Sequence, residues 1–253
     1  MRRVLITGLL LLLTAWLAPS SPAYEVIEVK DGGAIAGRVT FVGEVPDLEP
    51  IPVPKDQEFC GKTIPSNVLI VSGNKGVKNA IVFLERVAKG KRPVVQEPLL
   101  DNNRCVMVPL VQAILVGADL NIRNSDPLLH DVRTRLDGKP FFNLALPIQG
   151  QTIKRRIRKA GLMTVSCDAH PHMRGYIHVF EHPYFAVTDG EGTFRIEDVP
   201  PGKYVLKVWH AGWKVTGKDR DGRLIYEEPH VLSKEVTVLE KQEAKVNFEL
   251  RPR

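Results

Sequence analysis

Short runs of β-branched and aromatic residues, separated by glycine, proline, asparagine and aspartate, recur along most of the chain. Runs of this length predict strands, and the residues between them predict turns. No segment of a dozen residues has the periodicity of an amphipathic helix. The sequence therefore predicts an all-β fold, with strands at 34–41, 79–84, 111–116, 119–123, 150–157, 161–166 and 174–180.

The composition excludes several classes of protein. Of 253 residues, 43% are hydrophobic and 25% are charged, which is typical of a folded globular chain. Aromatic residues make up only 7%, too few for a stacking platform that binds single-stranded nucleic acid. The net charge of +6 is spread thinly, and the densest basic run, 154–159, is interpreted as a solvated strand face and turn. We expect no nucleic-acid partner.

The first 23 residues have the pattern of a secretory signal peptide. Arg2 and Arg3 form a positive start, residues 4–18 are mostly apolar, and Ser21 and Ala23 are small residues at a cleavage site. The apolar run is shorter than the roughly 20 residues of a membrane span, although an uncleaved anchor remains the alternative. We expect cleavage after Ala23, a periplasmic or secreted protein, and no stable membrane span.

Export to an oxidising compartment changes the expected oxidation state of the three cysteines. In an oxidising compartment a pair of cysteines forms a disulfide and an odd one is left over. Cys60 and Cys105 lie in polar, loop-like surroundings, whereas Cys167 is surrounded by other metal-binding side chains. The simplest prediction is a Cys60–Cys105 disulfide and a free thiol at Cys167. No Cys-x-x-Cys-His motif is present, which excludes covalently attached haem.

A cluster of soft ligands falls between two predicted strands. Cys167, His170 and Met173 occur within seven residues, and His130 lies in a predicted loop after the strand 119–123. Two imidazoles, a thiolate and a weak axial thioether are the ligand set of an electron-transfer copper site. The alternatives are an inert buried thiol at Cys167 and a core-filling Met173. His172 is interpreted as an exposed neighbour rather than a ligand.

Two segments resemble the copper-ligand segments of plastocyanin- and amicyanin-like cupredoxins. Residues 167–175, Cys-Asp-Ala-His-Pro-His-Met-Arg-Gly, resemble the loop that carries three ligands, and residues 124–132 resemble the segment that ends with the first histidine ligand. The resemblance covers roughly residues 33–181. It implies a Greek-key β-sandwich that binds one type 1 copper through His130, Cys167, His170 and Met173.

The chain after Tyr184 resembles a different module. Its Val-Thr-Asp and Pro-Pro-Gly motifs and the aromatic residues around them resemble the carboxypeptidase regulatory-like (transthyretin-like) domain, which is non-catalytic. We therefore expect two sandwiches in series, a cupredoxin domain at 24–182 and a regulatory-like domain at 183–253. The resemblance is incomplete at Asp131, where cupredoxins often have Asn, and at Leu110, where similar two-domain proteins often have His.

These observations predict an electron carrier rather than an enzyme. The expected partners are redox proteins such as a c-type cytochrome or a periplasmic dehydrogenase. Two alternatives remain open: a periplasmic copper-binding or copper-delivery protein, and a non-redox module that binds a protein or a glycan. No spacing signature supports a second metal site, so a structural role is predicted for His178, His182 and His210.

Overall fold

Strands form nearly all the regular structure. The computed structural model describes residues 24–94 and 96–253, and in that part of the chain it contains 23 strands and one four-residue helix. The predicted all-β class is confirmed. The predicted signal peptide lies outside the described residues. Within them, no helix has the length and apolar character needed to cross a membrane.

The first sandwich is formed by the middle of the chain. Its five-stranded sheet has the order β12 (Lys139–Leu146), β11 (His130–Leu136), β14 (Gly161–Ser166), β15 (Arg174–Phe180) and β9 (Val111–Leu115). Its four-stranded sheet has the order β13 (Thr152–Arg156), β10 (Asp119–Asn124), β7 (Leu99–Asn103) and β8 (Val106–Val108). Residues of both sheets share one apolar core.

Alternation of apolar and polar residues explains how these strands pack. In β10, Leu120 and Ile122 are fully buried, whereas the flanking Asn121 and Arg123 are not. In β14, Met163 and Val165 enter the same core. Burial of each such side chain contributes about 1.5–3 kcal/mol relative to its exposure. The Greek-key connectivity stays a prediction.

The second sandwich combines strands from both ends of the chain. One sheet has the order β16 (Phe185–Val187), β5 (Ile81–Leu84), β18 (Gly202–His210) and β21 (His230–Val238). In the other, β2 (Gly33–Phe41) pairs with three strands, β17 (Thr193–Val199), β22 (Glu243–Lys245) and β23 (Phe248–Leu250).

This pairing corrects the expected arrangement of two sandwiches in series. Strands β2 and β5 fall within 24–182, which we expected to form the first sandwich, yet they pair with strands after residue 183. The first sandwich is thus inserted between β5 and β16. The physical reason is that β2 buries Ile35 and Val39 in the core that contains Phe248, more than 200 residues away. Local strand propensity does not identify such a partner.

Two short elements of the second sandwich extend toward the first. Residues 42–66, which we call the strap, follow β2 and contain β3 (Ile51–Pro52), α1 (Gln57–Cys60) and β4 (Thr63–Ile64). The proline-rich stretch 44–54 forms little regular structure, since its one strand has two residues. The hairpin, residues 215–226, contains β19 (Val215–Lys218) and β20 (Leu224–Tyr226). A two-stranded pair, β1 (Glu25–Val26) with β6 (Lys89–Gly90), completes the described elements.

Candidate metal centre

Three of the predicted ligands converge at one end of the first sandwich. His130 is the first residue of β11, Cys167 follows β14, and His170 lies in the loop between β14 and β15. The Cys167 Sγ atom is 3.9 Å from His130 Nδ1 and 3.8 Å from His170 Nδ1. All three side chains are buried. The sequence predicts a loop at His130, but this residue pairs with Leu146 as the first residue of β11.

The spacing of these atoms fits a single metal ion. Thiolate and imidazole ligands bind metals at roughly 2.0–2.3 Å, so two of them about 120° apart stand about 3.8 Å from each other. The observed distances of 3.8 and 3.9 Å match that value. A soft thiolate with two imidazoles suits copper. The residues present therefore fit the group that the sequence implies.

Met173, the predicted axial ligand, lies in the same core. It is buried in the apolar cluster that contains Cys167. Its backbone N–H donates to the carbonyl of His170 at 3.0 Å, which closes a tight turn in the ligand loop. Burial in this cluster agrees with the axial role and also with the core-filling alternative.

The Nε2 atoms of His130 and His170 each donate a hydrogen bond to a carboxylate. His130 Nε2 is 2.9 Å from Asp126 Oδ2, and His170 Nε2 is 2.9 Å from Asp56 Oδ2. A carboxylate there holds the proton on Nε2 and leaves the Nδ1 lone pair free for a metal. Burial lowers the pKa of His130, although the hydrogen bond with Asp126 opposes this shift. The neutral, metal-binding form is therefore favoured.

The sulfur atom is shielded from water and receives one backbone hydrogen bond. Burial raises the pKa of the Cys167 thiol to about 12, and the backbone N–H of Asp131, which donates to Sγ at 3.4 Å, opposes this. Because the thiolate is the metal ligand, metal binding must release this proton. The Asp131 carboxylate accepts hydrogen bonds from the backbone N–H groups of Asp168 and Ala169, and so it fixes the start of the ligand loop.

The hairpin of the second sandwich contacts the ligand loop. The Arg174 guanidinium stacks on the Tyr226 ring at 3.9 Å and donates to the carbonyl of Leu224 at 2.6 Å. Arg223 binds the Asp168 carboxylate at 2.6 Å, and Arg133 of the first sandwich binds the same oxygen at 2.9 Å. The second sandwich is thus part of the surroundings of the candidate metal centre.

The other histidines lie apart from this ligand set, except His172. Its ring is 5.8 Å from that of His170. The prediction that His172 is exposed is wrong: it is buried among residues of the strap and of β8, and its Nε2 donates to the carbonyl of Cys105 at 3.1 Å. His178 packs against Phe83. Within the described residues, the only other cluster with metal-ligand spacing is Cys105, Asp126 and His130, and Cys105 is already in a disulfide.

The predicted structural role of the remaining histidines stays a prediction, and their contacts agree with it. His182 accepts a hydrogen bond from the Tyr184 backbone N–H, and His210 donates to the carbonyl of Ala211. Leu110 packs in an apolar cluster that joins the two sandwiches.

Sequence reasoning missed the two carboxylates and Arg223. Asp126 lies four residues before His130, a spacing that could have suggested their contact. Asp56 lies 114 residues before His170, and its only signal is its place four residues before Cys60. No pattern in the sequence indicates that Arg223 contacts Asp168.

Comparisons with known proteins find similarity only among solved structures. No protein-family model matches the chain, and no curated protein matches it. A purple cupredoxin from Nitrosopumilus maritimus is 22% identical, with 33% of this chain and 100% of that chain covered and a TM-score of 0.30. Amicyanin from Paracoccus versutus is 17% identical, with 39% and 97% covered and a TM-score of 0.31. A copper-containing nitrite reductase from Thermus scotoductus is 22% identical, with 39% and 25% covered and a TM-score of 0.31.

Proposed function

We propose that this protein is an exported type 1 copper protein that transfers single electrons between redox partners. The observation that carries the proposal is the placement of His130 Nδ1 and His170 Nδ1 at 3.9 and 3.8 Å from the Cys167 sulfur. Met173 is the proposed fourth, weak ligand. Copper bound there would supply a one-electron couple whose potential depends on the axial ligand and on the hydrogen bonds to sulfur.

The surroundings of the ligands favour electron transfer over copper delivery. Cys167 and His130 are fully buried, and only 1% of His170 is exposed. Both imidazoles are held by carboxylates, and the sulfur by a backbone N–H. Fixed ligands need little rearrangement when the charge of the site changes, whereas a delivery protein must expose its ligands to a recipient. A closed site also offers no position for a substrate, which supports a carrier rather than an enzyme.

The partner and the compartment belong to the same proposal. The N-terminal signal pattern and the Cys60–Cys105 disulfide support an oxidising compartment outside the cytoplasm. Redox proteins of that compartment, such as a c-type cytochrome or a periplasmic dehydrogenase, are the proposed partners. The second sandwich would orient the metal centre through its contacts with the ligand loop.

The test is titration of metal-free protein with Cu(II), followed by its visible spectrum. We expect an intense thiolate-to-copper charge-transfer band that saturates at one equivalent and disappears in Cys167→Ser. The coloured protein should then be reduced by a ferrous c-type cytochrome in stopped-flow mixing. A colourless protein with stoichiometric Cu(I) would support delivery instead, and absence of copper binding would support a non-redox binding module.

A further inference from the structure

The strap covers the outer edge of His170. The Nε2 atom of this ligand donates to Asp56 of the strap at 2.9 Å, and only 1% of the His170 residue is exposed. Ile51 and Ile64, also in the strap, line a small cavity together with Met173 and His172. The strap, which starts from the second sandwich, therefore lies directly on the ligand loop of the first.

The backbone at Asp56 is shaped to present its carboxylate. Asp56 has φ 55° and ψ 39°, a left-handed conformation that aspartate tolerates better than most residues. Its carbonyl accepts hydrogen bonds from the backbone N–H groups of Phe59 and Cys60, which form the single turn α1. The side chain carries no hydrogen bond to this turn and is free to bind His170.

A disulfide fastens this turn beside the metal centre. Cys60, at the end of α1, is bonded to Cys105 of the first sandwich. The backbone N–H groups of Arg104 and Cys105 donate to the Asp126 carboxylate at 2.7 and 2.8 Å, and Asp126 binds His130. The attachment point of the strap is therefore hydrogen-bonded to the carboxylate that supports the other histidine.

The two carboxylates differ in burial and in how far along the chain each lies from the histidine that it binds. Asp126 is buried and lies in the chain segment that leads into His130. The Asp56 side chain is 33% exposed and comes from a segment 114 residues from its histidine. Asp126 thus stays in place through its own loop, whereas Asp56 depends on the strap and its disulfide.

We propose that Asp56 is a positioning residue for the metal, and that the Cys60–Cys105 disulfide keeps it in place. This inference rests on the proposed function, because it assigns a role in copper binding. The Asp56 carboxylate holds the Nε2 proton, directs the Nδ1 lone pair toward Cys167 and increases the basicity of the imidazole. Loss of such a partner typically weakens metal binding 10- to 100-fold. A more basic ligand favours Cu(II) over Cu(I), so Asp56 also lowers the potential.

Two substitutions of Asp56 separate charge from orientation. Asp56→Asn keeps an oxygen acceptor and a residue that tolerates positive φ, but it removes the charge. Asp56→Gly also tolerates positive φ and removes the acceptor altogether. Glu58→Gln is the matched control, because it removes one carboxylate from the same turn and Glu58 makes no hydrogen bond to the ligand histidines.

The measurements use the full chain in two states. In metal-free protein, ¹⁵N NMR of the imidazoles reports which nitrogen of His170 carries the proton. In copper-loaded protein, competition with a chromophoric chelator gives the Cu(II) and Cu(I) affinities. We expect Asp56→Gly to lose the Nε2–H tautomer preference and 10- to 100-fold of Cu(II) affinity, with a smaller loss for Cu(I). Asp56→Asn should keep the tautomer and lose less affinity, and Cys60→Ser with Cys105→Ser should behave like Asp56→Gly.

The possible failures are distinguishable. A wild-type protein that binds no copper would overturn the proposed function, and this inference with it. A wild-type protein that binds copper, with Asp56→Gly indistinguishable from Glu58→Gln in tautomer and affinity, would overturn the inference alone. If the double cysteine variant keeps the wild-type tautomer, the disulfide does not hold Asp56 in place.

Discussion

Arg223 of the second sandwich donates a hydrogen bond to the backbone carbonyl of Cys167, 3.3 Å from its Nη2 atom. The same guanidinium binds the carboxylate of Asp168, the next residue along the chain. Only 11% of the Arg223 side chain is exposed. The second sandwich, which contributes none of the proposed ligands, thus places a buried positive charge beside Cys167, the proposed thiolate ligand.

Loss of this charge should lower the reduction potential. A cation near the site disfavours Cu(II), so Arg223→Gln should stabilise Cu(II) and lower the potential by on the order of tens of millivolts. Arg223→Lys should shift it less. Arg220→Gln is the matched control, since the Arg220 side chain lies in the same turn but is 93% exposed. Spectroelectrochemistry measures the potentials, and equal shifts in Arg223→Gln and Arg220→Gln would contradict the argument.

Removal of the chain after Glu181 should also unfold strands that precede this residue. Strands β2 and β5 would remain without their partners, and Ile35, Val39 and Leu84 would lose the core that buries them. We expect this shortened chain to be insoluble or rapidly cleaved by protease between residues 33 and 84. A soluble product with the copper affinity of the full chain would show that the first sandwich and the strap need no support from the second.

The sequence was informative where the determining contacts are local. Strand periodicity identified the all-β class, and the close spacing of Cys167, His170 and Met173 predicted a loop in which the structure places His170 Nδ1 3.8 Å from the Cys167 sulfur. Strand β11 was missed, because Asp131, Arg133 and Arg135 alternate with its buried residues and give it a polar composition. That strand is stabilised by its pairing with β12 and β14, which no local pattern records.

Long-range relations could not be predicted from the same patterns. Two examples are the parallel pairing of Val39 with Phe248 and the contact of Asp56 with His170. Both depend on the insertion of the first sandwich into the chain of the second. The cysteines are the exception. A Cys60–Cys105 disulfide was predicted from their count and surroundings, and it is the covalent link between the strap and the metal end of the first sandwich.

The disulfide should contribute substantially to stability. It closes a loop with a sequence separation of 45 residues, which corresponds to about 4 kcal/mol in the chain-entropy model. Cys60→Ser with Cys105→Ser should therefore lower the free energy of unfolding by roughly that amount in urea titrations of metal-free protein. Cys167→Ser, which leaves the disulfide intact, is the control. Thiol counting in denaturant without reductant should find one free thiol; three would rule out the disulfide.

Substitution of Met173 should separate its axial role from core filling. An amide oxygen is a harder donor than a thioether, so Met173→Gln should keep copper and lower the potential, whereas Met173→Leu should raise it. Met107→Leu is the matched control, because Met107 is buried in the same core and is not a proposed ligand. If neither Met173 variant changes the potential more than Met107→Leu does, Met173 fills the core and the axial position belongs to another group.

His178 should make the fold sensitive to acid. Burial lowers its pKa to about 4, and the Asp137 carboxylate only partly opposes this. Its ring packs against Phe83 and Phe180, and its Nδ1 atom has no hydrogen-bond partner among the described residues. The folded protein therefore keeps His178 neutral at pH values where the unfolded chain, with an ordinary pKa of about 6.5, is protonated.

This difference in pKa should make the folded protein less stable as the pH falls. Between about pH 6.5 and pH 4 the unfolded state binds the extra proton, so this contribution to stability is lost as the pH falls through that window. From pH 7 to pH 5 the loss amounts to about 2 kcal/mol. His178→Leu removes the titrating group, so its stability in urea should fall by about 2 kcal/mol less than that of wild type over this range. Phe83→Leu alters the same contact without removing a titrating group, and it should change stability equally at both pH values. Equal pH dependence in wild type and His178→Leu would mean that His178 is protonated in the folded protein as readily as in the unfolded chain.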